Sequence, residues 1–135
     1  MIAVVLAFGC GPTHDFAYRG TWIGHRKLHP SPGTDPHVAD EVSRLSLTLK
    51  NGGNFTMFDA GIKKDGEYTV EGDHAVLSVE RILDQPISRQ TEDVQKLNVP
   101  ISLTPTGKNL KFVDPTGFDK GGLILERSEA PATNP

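Results

Sequence analysis

A single cysteine occurs in the 135 residues of the chain, which excludes an internal disulfide and any metal site built from several thiolates. No apolar run approaches the roughly eighteen residues that a membrane-crossing helix needs. Basic residues are not in excess: Lys and Arg number 14 against 17 Asp and Glu, for a net charge of −3 and a pI near 5.9. A nucleic-acid binder would need a basic face, so no nucleic-acid partner is expected. Aromatic residues are 7% of the chain, with one tryptophan. Reactive constellations are missing as well. No serine sits in a Gly-x-Ser-x-Gly setting, and the Gly121-Gly122 pair precedes a strand pattern, not the helix that a phosphate-cradling loop would open. Asp and Glu are scattered through turns and outward strand positions, so no carboxylate pair is set up for acid–base work. The expectation is no enzyme, no cofactor and no metal. His25, His29 and His37 lie in or beside one Pro-rich loop with Asp35, a donor set able to hold zinc or copper. Their spacing matches no recognised site, and solvated loop side chains are the expected reading.

What the chain does have is turn formers: 14 glycines and 10 prolines. Its length suits one domain, and a domain of this size buries roughly two-thirds of its unfolded surface. Met1-Ile2-Ala3-Val4-Val5-Leu6-Ala7-Phe8-Gly9-Cys10 is a short apolar run ending in Gly-Cys, followed by the breaker-rich Gly11-Pro12-Thr13-His14-Asp15. This resembles a bacterial lipoprotein signal peptide with its acylated cysteine, although Ala7 stands where leucine is usual and Phe8 fills a normally small position. The resemblance implies a signal peptide over 1–9, lipidation (palmitate among the acyl chains) at Cys10 and a tether over 10–15. A barrel domain then spans 16–128, with a disordered tail over 129–135. Two or more acyl chains suffice for stable anchoring. The implied location is the cell envelope, at the outer membrane facing the periplasm, because Gly11 replaces an inner-membrane-retaining Asp.

Along the domain, Phe16 to Leu28 reads as a first strand carrying Gly20-Thr21-Trp22. A Pro-rich loop follows, with a short helical turn from Pro36 capped by Asp35. Leu45, Leu47 and Leu49 then alternate with polar residues, as in a half-buried strand. Asn51-Gly52-Gly53-Asn54 is a hairpin turn, and Phe55 to Phe58 returns. Lys64-Asp65-Gly66 reads as the next turn, 67–71 as a strand, Gly72-Asp73 as a tight turn, and His74 to Ile82 as the return. Residues 84–96 read as a loop carrying Pro86, with a short helix as the alternative. Leu97, Val99, Ile101 and Leu103 resume alternation, with Pro100 marking an edge or bulge. A turn at 105–109, a strand at 110–113, a turn at 114–117 and a last strand at 122–127 complete the domain. The expected fold class is all-β: an antiparallel up-and-down meander of about eight strands forming a small closed or flattened barrel.

Gly20-x-Trp22 on the first strand, Gly66-x-Tyr68-x-Val70-x-Gly72-Asp73 in the middle and Leu125-Glu126-Arg127 at the end occur in the order seen in small lipocalin-like domains of bacterial lipoproteins, within the calycin group. The resemblance spans most of 18–127. It implies that Trp22 closes one end of the barrel and that Arg127 covers it. It also implies a monomeric binding module for a small apolar or amphipathic molecule, with Phe55, Met57, Phe58 and Leu77 facing the ligand. The domain is shorter than an ordinary lipocalin. The alternative is a structural or protein-interaction lipoprotein with a filled barrel and no small ligand.

Overall fold

The computed structural model describes residues 17–28, 31–117 and 119–128. The expected signal peptide, Cys10, the tether and the tail lie outside the described residues, as does His29. The elements are β1 (Gly20–His25), α1 (Pro36–Ser43), β2 (Arg44–Leu49), β3 (Asn54–Asp59), β4 (Ile62–Glu71), β5 (His74–Ile82), β6 (Gln85–Pro86), a 3₁₀ turn (Ile87–Arg89), α2 (Glu92–Leu97), β7 (Ile101–Thr106), β8 (Asn109–Val113) and β9 (Leu123–Arg127).

Every pairing is antiparallel, and the strands follow one another round the sheet in chain order. β4 pairs with β5 and β1 with β9, so eight strands close into an up-and-down barrel, with β6 a two-residue appendage on β5. The seam between β1 and β9 is short, with Trp22 opposite Arg127 and Ile23 opposite Glu126.

Period-two alternation fills the barrel. Leu45, Leu47, Leu49, Phe55, Met57, Leu77, Leu103, Phe112 and Leu125 point inward at 0–2% exposure. Eight strands make an interior that side chains of this size can fill. Gly24, also inward, leaves the space that Leu123 and Leu125 occupy; a Cβ there would sit 2.6 Å from a Leu125 methyl.

Three sequence expectations are corrected. The turn expected at Lys64-Asp65-Gly66 is at Ala60-Gly61, where both residues have positive φ (55° and 87°), as a two-residue hairpin turn requires. β4 runs unbroken through 64–66, and its register with β5 shifts between Asp65 and Gly66, a β-bulge. Gly66 is there because a Cβ would overlap the Ser78 carbonyl oxygen across the ladder. Leu97 ends α2 instead of opening a strand, and β7 starts after Pro100. The first strand is confined to Gly20–His25. The Asp35 cap is present: its carboxylate accepts from the His37 amide at 2.8 Å, with Pro36 in the first turn.

Candidate functional site

The two ends of the barrel differ in kind. At one end, residue 18 and β1 bring together Tyr18 and Trp22, both buried in the core. The indole N–H donates to the Tyr18 carbonyl at 2.9 Å, satisfying the one polar atom of a buried tryptophan. Arg127, from the last strand, lays its guanidinium over the ring, 4.3 Å from the centroid. The same guanidinium donates to the carbonyls of Arg19 (2.6 Å) and Ala17 (3.1 Å), tying the entering chain to the final strand. Gly20 makes this stack fit, since a Cβ would run into Arg127 Nη1, and its φ of 128° is one that other residues rarely adopt. Burial raises the Tyr18 phenol above its ordinary range, and the negative charge of Asp73 adds to the effect. Among the described residues, Tyr18, Trp22 and Arg127 plug this end.

The opposite end is open. Arg26, just past β1, is almost wholly covered, its side chain 7% exposed. Its Nε and Nη2 donate to both carboxylate oxygens of Asp119, at 3.0 and 2.7 Å, and Nη2 also donates to Asp59 Oδ1 at 2.7 Å. Lys64 donates to the other oxygen of Asp59 at 3.1 Å. Four charges from β1, β3, β4 and the β8–β9 loop thus form one chain across the mouth. Burial alone would raise the Asp59 carboxyl, but the Lys64 charge and the Arg26 hydrogen bond outweigh it and hold the group below the usual carboxylate range. Burial likewise works against the Arg26 cation, and its bonds to Asp119 and Asp59 more than offset that.

Above this network lies a cavity of about 380 Å³. Its walls are aliphatic: Val79 and Ile82 from β5, Ile101 from β7, Ile62 from β4, and Val94 and Leu97 from α2. β7 pairs with β5 only over 75–77, so above that point the two strands part and the segment carrying α2 fills the gap. Beyond the short β5–β6 pairing, side chains tie that segment to the barrel: Asn98 Nδ2 donates to the Val79 carbonyl at 3.2 Å, and the Thr116 hydroxyl donates to the Leu97 carbonyl at 3.0 Å. α2 itself buries no residue. Arg26, Lys64 and the aspartates, with Asn98 and Thr116, give the cavity its polar groups.

Phe55, Met57 and Leu77 are inward but lie in the packed core and do not line this cavity. Phe58 is corrected: one position beyond Met57, it falls on the outer face, 46% exposed, across from Ser46. Trp22 and Arg127 meet at the plugged end, as described above. Among the described residues no three His, Cys, Asp or Glu side chains are grouped to hold a metal ion, and His25 and His37 are exposed. The open-end residues were not singled out from sequence. Asp59 carried a signal, since it has the inward parity of Phe55 and Met57 and is charged, as an inward position at a strand end can be. Arg26, Lys64 and Asp119 become neighbours only through the closed ring.

The fold is that of a closed, eight-stranded antiparallel barrel with one plugged and one open end. No protein-family model matches the chain, and no curated protein and no solved structure matches it.

Proposed function

We propose that the protein is an envelope-anchored, lipocalin-like binding module that holds a small amphipathic molecule at the open end of its barrel. The observation that carries this reading is the 380 Å³ cavity opposite Trp22, walled by aliphatic side chains and edged by charges. Ligand pockets begin at roughly 300 Å³ and combine apolar walls with a few placed polar groups. Because the barrel interior is filled, the ligand sits across the mouth and not deep among the strands. The Gly-Cys junction at Cys10 supports the anchored part of the reading.

The uncharged environment-sensitive dye Nile red tests the site. Wild type should enhance its fluorescence saturably, and Ile82→Glu, at the cavity wall, should abolish the enhancement while leaving the circular dichroism of the fold intact. Equal dye binding by both proteins would remove the mouth as the site. Anchoring is tested apart from the ligand. Wild type should partition into detergent from its native host, and Cys10→Ser should not; a wild-type protein that stays wholly in the aqueous phase ends the lipoprotein reading.

The filled interior favours a second reading, a protein-interaction lipoprotein with no small ligand. Mass spectrometry of the detergent-extracted protein separates the two: a co-released small amphiphile supports the first, and a stoichiometric protein with no small molecule supports the second.

A further inference from the structure

The mouth cavity does not end at the barrel rim. A cleft of about 180 Å³ adjoins it, sharing Arg26, Asp59, Ile62 and Lys64 with the cavity and adding Leu28 and Val42. Beyond the cleft lies a groove of about 760 Å³ beneath α1, which shares Arg26, Leu28 and Val42 with the cleft and adds Val38. One apolar path therefore runs from Ile101 in the mouth, over Ile62 at the rim, to Val38.

The groove is lined in an unusual way. α1 buries no residue, yet Val38 and Val42, four apart and so on one helical face, both line the groove. A surface helix normally turns such a stripe to the core. Leu28, Val38, Val42, Ile62 and Leu97, all lining this path, make up five of the eight large hydrophobic side chains that stand exposed among the described residues. Arg26 lines all three spaces, and its network partners Asp59 and Lys64 line the cavity and the cleft.

We infer that the groove beneath α1 is the tail subsite of the mouth: the ligand class is a single-chain amphiphile whose polar head lies at the Arg26–Lys64 network and whose chain crosses Ile62 into the groove. The inference rests on the mouth being a binding site and adds a second subsite and a chain length to it. The network sets two cations against two carboxylates, and Asp114 also lines the cavity, so the mouth holds no surplus of positive charge. An anionic head would add an uncompensated ion to this partly desolvated site, whereas an uncharged head with hydroxyls or an ester needs only hydrogen bonds. The class is therefore long-chain amphiphiles with a neutral head, and a monoacylglycerol is the plainest member.

The test is calorimetric titration of the full chain with a long-chain and a short-chain monoacylglycerol, each below its micelle-forming concentration. The proteins are wild type, Val38→Asp, Val42→Glu and Ile82→Glu. Val38 and Val42 are 53% and 41% exposed, so these substitutions should leave the fold intact, which circular dichroism checks. The expected result is that Val38→Asp and Val42→Glu each weaken the long-chain ligand about tenfold and leave the short-chain ligand unchanged, while Ile82→Glu abolishes both. If the groove variants bind the long chain like wild type while Ile82→Glu abolishes it, the mouth binds but the tail subsite is wrong. If wild type binds neither ligand, the mouth reading fails and the tail subsite with it. The fatty acid of the same chain length should bind more weakly than the long-chain monoacylglycerol; equal or tighter binding overturns the neutral-head assignment.

Discussion

Trp22 and Arg127 are held together by what a third residue lacks. Gly20 supplies a φ of 128° and the empty volume that Arg127 Nη1 occupies. Gly20→Ala should therefore cost more than the usual ~1 kcal/mol of a glycine replaced at positive φ, because the new methyl also displaces the guanidinium. Trp22→Ala should cost about 3–5 kcal/mol, as for any large buried side chain. Arg127→Lys keeps the charge but not the planar stack or the two carbonyl contacts, and should cost roughly 0.5–2 kcal/mol. Urea unfolding followed by far-ultraviolet dichroism orders the three. Trp22→Ala proving milder than Arg127→Lys would overturn the picture of a plug built on the indole.

Among the elements, β4 shows how local sequence and tertiary demand part company. Lys64-Asp65-Gly66 has turn composition, yet its glycine serves a close approach to the Ser78 carbonyl at a bulge. The real turn uses Ala60 at φ 55°, a residue that advertises no such conformation. Gly66→Ala should accordingly destabilise by 1 kcal/mol or more, roughly the scale of overpacking a tight site, whereas Ala60→Gly should be neutral or stabilising. Thermal melts of the two variants moving in the same direction would contradict this. α2 was obscured differently. The alternation of Leu97, Val99 and Ile101 suggested a strand, but Thr91 caps a helix through the Val94 amide, Glu92 and Asp93 sit in its first turn and Lys96 in its last. Capping and dipole terms outweighed a three-residue pattern. The Leu45–Leu47–Leu49 alternation was legible because one face of β2 is wholly core. The open-end network was not, because Arg26 and Asp119 are 93 residues apart and no local pattern encodes their meeting.

On the scale of the whole molecule, the same network gives the open end a pH dependence. Asp59 is held below the ordinary carboxylate range in the native state, while in the unfolded chain an aspartate titrates near about 3.9. A depressed native value means stability that is fully present above the unfolded value and lost as pH falls through the native one. The mouth should therefore loosen in acid, below about pH 4. Protection factors of the 114–117 and 119–122 segments, taken relative to the intrinsic exchange rate at each pH, should fall there in wild type, and unfolding free energies should fall less steeply with acid in Asp59→Asn. An identical acid profile in the two proteins would mean that the carboxylate does not supply this dependence. Asp119→Ala, which removes one partner of a nearly buried ion pair, should cost about 3 kcal/mol at neutral pH.

The seam between β1 and β9 also dictates the order in which the chain can assemble. The guanidinium that covers Trp22 bonds to a carbonyl 108 residues away in the chain, whereas neighbouring strands elsewhere in the ring are joined by turns, short loops or the segments carrying α1 and α2. Non-local contacts carry the largest loop-closure cost and slow folding most. The hairpins should then form first and the ring should shut last, with the sole tryptophan as a built-in reporter of the closing step. In stopped-flow refolding, the Trp22 fluorescence change should lag the dichroism of strand formation. Arg127→Ala should speed unfolding and leave the folding rate nearly unchanged, as for contacts absent from the transition state. A variant that instead folds more slowly in proportion to its lost stability would put the seam in the nucleus.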